Sequence, residues 1–139
     1  MFYELTIERD MVGSNDITKR VKGKYLTDCS LFAEAEYKGM DEFKNYNPDV
    51  NIKRSPIREF VNEAPDMGEY TIYDAVIADV YINEETGKEK LTKYHVGVYS
   101  TSVEEATKQV QDYMRQGLED MRFISIKETQ IIEILGIKN

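Results

Sequence analysis

VNIKRSPIREF, residues 50–60, and ISIKETQIIEI, residues 124–134, stand seventy-four positions apart and share Ile52/Ile126, Lys53/Lys127, Ile57/Ile131 and Glu59/Glu133. Each reads as a β-strand rich in isoleucine, and each contains one irregularity. Pro56 has no N–H to give to a ladder and marks an edge or a bulge. In the second stretch the apolar alternation slips near Thr129–Gln130. How these two stretches are used decides the fold.

Working outward, a second pair of segments lies at the same offset. ITKRVKGKYLTD (17–28) and LTKYHVGVYSTS (91–102) match at Thr18/Thr92, Lys19/Lys93, Gly23/Gly97, Tyr25/Tyr99 and Thr27/Thr101. The elements around them follow one order. FYELTIERD alternates, with Tyr3, Leu5 and Ile7 on one face, and predicts a half-buried strand. Gly13–Asp16 supplies turn residues. The strand after it puts Arg20, Lys22 and Lys24 on one side and Val21, Gly23 and Tyr25 on the other. Ser30 is placed to cap a helix whose apolar stripe is Phe32, Ala35, Gly39, Met40, Phe43 and Tyr46. Pro48 ends that stretch.

The second half repeats this order. Residues 70–83 and 89–100 flank EETG, a hairpin loop with Gly87 in a left-handed position. Ser102–Glu105 fits a capping box. Val103, Ala106, Val110, Tyr113, Met114, Gly117 and Leu118 mark the core face of a second helix. The helices align at an offset of seventy-one, through Phe32/Val103, Glu34/Glu105 and Ala35/Ala106.

The expected architecture is therefore α+β. A tandem duplication of a ββαβ unit would form one six-stranded, mainly antiparallel sheet with two helices on one face and pseudo-two-fold symmetry. The chain is read as a single domain over 1–139, with repeat 1 at 1–60, a connector at 61–69 and repeat 2 at 70–139. A lone unit of this size leaves a sheet edge open, which pairing two units would relieve.

Composition bounds the function. With 41% hydrophobic and 32% charged residues, the 139-residue chain has the make-up of a folded globular domain. No apolar run reaches the ~18–20 residues needed to span a bilayer, and FYELTIERDMV has neither part of a signal peptide. One cysteine, Cys29, fits a reducing compartment. The expectation is a cytoplasmic protein with no membrane contact. The net charge of −8 opposes an undifferentiated phosphate-binding surface. That charge sits in the second half: residues 1–60 hold ten Lys/Arg against eleven Asp/Glu, and residues 61–139 eight against fifteen.

FYEL at the start, YLTDCSLFAEAE, NEETGKEK, SVEEA and ISIKETQIIEI together resemble the signature blocks of an uncharacterised family of gut Bacteroidales and their crAss-like phages. The resemblance spans nearly the whole chain. In the family pattern a proline follows the ET of the last block, where this chain has Gln130. The resemblance implies a phage or mobile-element setting, among genes of genome replication. It carries no assigned activity and no catalytic residues.

Chemistry is sparse. One histidine, His95, and one cysteine cannot assemble an ordinary zinc site. A Cys29–His95 nucleophile pair is weaker than a small turn residue and a surface imidazole. Asp74 and Asp79 fall on opposite strand faces, Glu84/Glu85 in a turn and Glu104/Glu105 in a first helical turn. No enzyme, metal or cofactor is expected. Ten tyrosines without a tryptophan are the one oddity. Arg20, Lys22, Lys24, Lys53, Arg54 and Arg58 are the candidate phosphate contacts, with Tyr25 and Tyr99 as stacking or packing residues. Set against that are an ordinary solvated sheet face and ordinary β-propensity.

Two readings result. The first is a non-enzymatic accessory binding protein of phage or mobile-element DNA metabolism that contacts single-stranded nucleic acid. The alternative is an acidic protein-binding module that modulates a host or phage enzyme. Clustered basic residues favour the first; dispersed lysines and exposed apolar, Tyr-rich strips favour the second. A homodimer through an edge strand is compatible with both.

Overall fold

The computed structural model describes residues 1–66, 68–117 and 120–136. Leu118, expected on the second helix's core face, lies outside them. The elements are β1 (Phe2–Val12), β2 (Thr18–Asp28), α1 (Phe32–Glu42), a 3-10 turn (Lys44–Tyr46), β3 (Asp49–Arg54), β4 (Ile57–Phe60), β5 (Thr71–Ile82), β6 (Glu89–Ser100), α2 (Val103–Arg115), β7 (Met121–Glu128) and β8 (Ile131–Leu135).

The expected six-stranded sheet is replaced by two four-stranded mixed sheets, ordered β3-β1-β2-β8 and β4-β6-β5-β7. The reason lies in the two opening stretches. Each is broken into two short strands, at Ser55–Pro56 and at Thr129–Gln130, and the parts belong to different sheets. β3 pairs antiparallel with β1, while β4 runs parallel to β6. β7 pairs antiparallel with β5, while β8 runs parallel to β2. At each break the last backbone N–H is absorbed locally: Ser55 donates to the Phe2 carbonyl at 2.9 Å and Thr129 to that of Ile72 at 3.0 Å. Two compact units result, Met1–Ser55 with Gln130–Asn139, and Pro56–Thr129. The chain crosses between them at these breaks and not at the 61–69 connector. Each unit has one helix on one face of its own sheet, in place of two helices sharing a face.

In the first unit Leu5, Ile7 and Tyr25 face Ala35 of α1, joined by Cys29 and Leu135. In the second, Tyr73, Ala75, Ile77, Val96 and Val98 face Ala106 and Val110 of α2. Burial of such side chains contributes about 1.5–3 kcal/mol each for the larger ones.

Register fixes which positions answer to one another. The row Ile52–Leu5–Tyr25–Glu133 crosses the first sheet, and Ile126–Ala75–Val96–Glu59 crosses the second. The opening stretches therefore occupy matching places. The other pair does not: Tyr25 answers to Val96, and the Gly23/Gly97 and Tyr25/Tyr99 matches are out of register. Tyr25 lies beneath α1. Tyr99, opposite Ile72, points to the face away from α2. Each glycine lies beneath an aromatic ring, but not the same one: Tyr25 leans over Gly23, whereas Phe60 of β4 covers Gly97.

The helices start differently. The Ser102 hydroxyl accepts from the Glu105 N–H at 3.2 Å, as the capping box predicts. Ser30 does not cap α1. Its N-cap is Leu31, with no side-chain hydrogen bond. Nor does α1 bury its expected large stripe: Ala35 and Gly39 are buried, while Phe32 and Met40 are 52% and 43% exposed. A Cβ on Gly39 would meet Val50 at 3.2 Å and Leu5 at 3.3 Å. The small residues let the helix axis approach the sheet closely, and the larger ones are displaced to its margins.

Candidate functional site

Five of the six candidate basic residues lie in the first unit, and four of those share one sheet face, interspersed with acids. Arg20, Lys22 and Lys24 on β2 share the face away from α1 with Lys53 on β3. Between and beside them stand Glu4, Glu8 and Asp10 of β1 and Asp49 of β3. Arg20 bonds Asp10 at 3.0 Å and Asp49 at 2.7 Å, and donates to the Asn47 carbonyl. These partners, Asp10 first, hold its guanidinium pKa above the ordinary value. Lys53 meets Glu4 at 3.0 Å and Lys22 lies 3.8 Å from Glu8. Lys24 sits across from Thr6. Arg54 pairs with Tyr3 in the register, which turns it to the opposite face from Lys53. The face thus alternates four cations with four anions across adjacent strands. Such cross-strand pairs steady a sheet modestly and create no net positive field.

The two tyrosines singled out are buried, each 5% exposed. Tyr25 packs against Phe43 at 5.3 Å. Tyr99 stacks on Phe60 at 4.9 Å and takes Tyr70 edge-on at 5.1 Å. Burial, and secondarily Tyr70, pushes the Tyr99 phenol up to about 12. Neither ring offers a base a free face without unpacking.

Cys29 and His95 are each committed elsewhere. Burial raises the Cys29 thiol above its ordinary pKa, the opposite of an activated nucleophile. His95 Nδ1 lies 2.8 and 3.0 Å from the two oxygens of buried Asp74, so its N–H donates to that carboxylate. Asp74 and Asp79 lie on opposite strand faces, as expected, while the Asp74–His95 pair is not apparent from either residue alone. Hairpin register holds the signal: Asp74 faces Gly97 and Val76 faces His95, making Asp74 and His95 diagonal neighbours. Among the described residues no group of three or more His, Cys, Asp or Glu side chains could hold a metal ion.

A cleft of about 490 Å³ opens in the second unit, lined by Arg58 and Glu59 of β4, Asp79 of β5, Tyr94 of β6, Tyr113 of α2, Gln116 and Gly117 just beyond it, and Met121 of β7. Its origin is geometric. β5 and β6 have 12 residues each, which at ~3.3 Å per residue extend about 40 Å. The 13 residues of α2 at ~1.5 Å per residue cover about 20 Å. Past the helix C-terminus the sheet floor is left open. The Tyr113 hydroxyl donates to Glu59. Burial first, and then this bond, raise the Tyr113 phenol well above its usual range. The Arg58 guanidinium lies 5.1 Å from the Tyr94 ring centroid. The visible sequence signal was Asp79, an acid interrupting the apolar face Tyr73–Ala75–Ile77.

By fold this is an α+β protein of two four-stranded mixed sheets, each with one helix. The chain belongs to the family described as domain of unknown function (DUF4494), whose model matches residues 1–137. No curated protein and no solved structure matches it. Among the described residues no helix is long and apolar enough to cross a membrane.

Proposed function

We propose that the protein is a non-enzymatic, acidic protein-binding module of a phage or mobile-element setting, acting on a host or phage enzyme. One observation carries the choice over nucleic-acid binding: Arg20, Lys22, Lys24 and Lys53 alternate with Glu4, Glu8, Asp10 and Asp49 on one sheet face. Phosphate binding draws on uncompensated cations and the counterions they release, and here Arg20, Lys22 and Lys53 each have a carboxylate within 4 Å, while Lys24 stands across from Thr6. Exposed apolar residues at the hairpin ends add to the reading, with Met11, Val12 and Ile17 on one hairpin and Tyr81 and Ile82 on the other. Exposed apolar strips of this kind are what a protein partner covers. The commitments of Cys29 and His95 support the non-enzymatic part. The matching register of the two sheets supports a tandem duplication as the origin of the chain.

Fluorescence anisotropy with labelled single-stranded DNA, duplex DNA and RNA tests the choice, from low to physiological salt. The expected result is no salt-sensitive binding, together with a partner that co-purifies with the wild-type protein and is lost on V12S/I17S or Y81S/I82S. Tight binding with a steep salt slope, abolished by K22A/K24A/R54A, would reinstate the nucleic-acid reading.

A further inference from the structure

The cleft of the second unit contains two charges that the protein leaves unused. Asp79 is half-buried on the sheet floor, and its carboxylate has no hydrogen bond or ion pair among the described residues. Arg58 on the β4 wall has no ion pair there either; its guanidinium lies over the Tyr94 ring and near enough to Tyr113 to oppose the rise of that phenol's pKa. They line the same space and do not pair with each other. A half-buried carboxylate such as Asp79 is costly to leave unpaired, Arg58 is exposed and open to a ligand, and a cleft of this volume is within the range that holds small molecules.

The first unit shows that the fold does not require this space. By register Arg9 answers to Asp79, since Arg9 pairs with Val21 where Asp79 pairs with Thr92. Beyond α1 the chain fills its own room: Phe43 and Tyr46 close over Arg9, whose guanidinium lies 5.0 and 5.9 Å from their ring centroids. Where one unit supplies aromatic rings and a cation, the other has an open carboxylate. The C-terminal end of α2, at Gln116 and Gly117, adds the negative end of a helix dipole to the same cleft, which favours a cation beside Asp79.

We propose that this cleft binds a small zwitterion of the α-amino-acid class. Asp79 takes the ammonium, assisted by the helix end. The Arg58 guanidinium takes the carboxylate, a pairing it makes with two parallel donors. Tyr94, Tyr113 and Met121 form the walls against which the ligand's side chain packs. Glu59 is held by Tyr113 and positions that wall. A purely cationic ligand would be opposed by Arg58, and a purely anionic one by Asp79; a ligand carrying both charges satisfies both.

The test is thermal denaturation and calorimetric titration of the full chain with each of the twenty common L-amino acids at millimolar concentration. A subset should raise the melting temperature, as any ligand that binds only the folded state does. For the best of them, the methyl ester and the N-acetyl derivative should each bind at least about tenfold more weakly, a factor expected for losing one charge-assisted contact. D79N and R58Q should do the same to the parent amino acid. Nuclear magnetic resonance on the wild-type protein guards against variants that fail to fold: shifts should concentrate at Tyr94, Tyr113, Gln116, Gly117 and Met121. Absence of any response to all twenty, equal binding of ester or acetyl derivative, or shifts centred elsewhere would each overturn the proposal. None of these outcomes depends on whether a protein partner exists.

Discussion

At Gly97 an absent side chain makes room for an aromatic stack. A Cβ built there would lie 2.6, 2.7 and 2.9 Å from atoms of the Phe60 ring, and that ring is held against Tyr99. The ring must leave its stack before alanine fits. Gly97→Ala should therefore cost about 1–3 kcal/mol, the usual range for overpacking. Phe60→Leu in the same background should return part of it, and a double-mutant cycle by urea denaturation reads the coupling. The same stack sets an alkaline limit on stability. The Tyr99 phenol is pushed up to about 12 by burial, against roughly 10 in an unfolded chain. Below pH ~10 both states keep the proton and its contribution is complete. Between about pH 10 and about pH 12 the unfolded chain ionises while the fold resists, so stability falls. Above that range the contribution is gone, a loss on the order of 2 kcal/mol. Tyr113, raised in the same direction, adds to the slope. Tyr99→Phe should keep the stack and flatten, without abolishing, the decline measured from pH 8 to 12.

The two helices differ most where they begin. Ser102 caps α2, and Ser102→Ala should cost about 1 kcal/mol. Leu31 occupies the same position on α1 with extended backbone, φ −125° and ψ 142°, and its side chain is exposed. Leu31→Ser should stabilise by about 0.5–1 kcal/mol, seen as a higher melting temperature. This contrast also shows what the sequence could disclose. Strand alternation, the EETG loop with Gly87 at φ +70° and the SVEE cap are local, and each was legible. The burial of α1 was not. Its periodicity admits a face centred on Phe32 and Met40 as well as one on Ala35 and Gly39, and the choice is made by Leu5 and Val50 across the interface. Gly23/Gly97 misled because the two glycines serve different rings, Tyr25 two residues on in one case and Phe60 from another strand in the other, which identity does not disclose. The cleft was the least legible, because Arg58, Asp79, Tyr94 and Tyr113 come from four elements and meet only once the register is set.

At the scale of the molecule, the Ser55–Pro56 and Thr129–Gln130 breaks decide what can fold alone. A chain cut within the connector, into 1–65 and 66–139, separates β1–β2–α1–β3–β4 from β5–β6–α2–β7–β8. Each fragment then lacks the parallel strand that closes its own sheet and carries the one belonging to the other. β8 brings Leu135 into the first core, 4% exposed, and its carbonyl accepts from the buried Thr27 hydroxyl at 3.5 Å. Leu135→Ala alone should cost about 2–4 kcal/mol. Either fragment by itself should therefore show weak, non-cooperative melting, because an uncovered sheet edge and an incomplete core remain. Mixing the two should restore one cooperative transition. Deleting residues 130–139 from the intact chain separates the effects further. Hydrogen exchange should then accelerate at Tyr25, Leu26 and Thr27, which pair with β8, while amides of the β5–β6 ladder keep their protection. Fragments that each melt cooperatively, or a deletion that leaves β2 protected, would mean that β4 and β8 do not complete the sheets as described. The opposite result would make strand exchange, and not the connector, the reason that the chain folds as one protein.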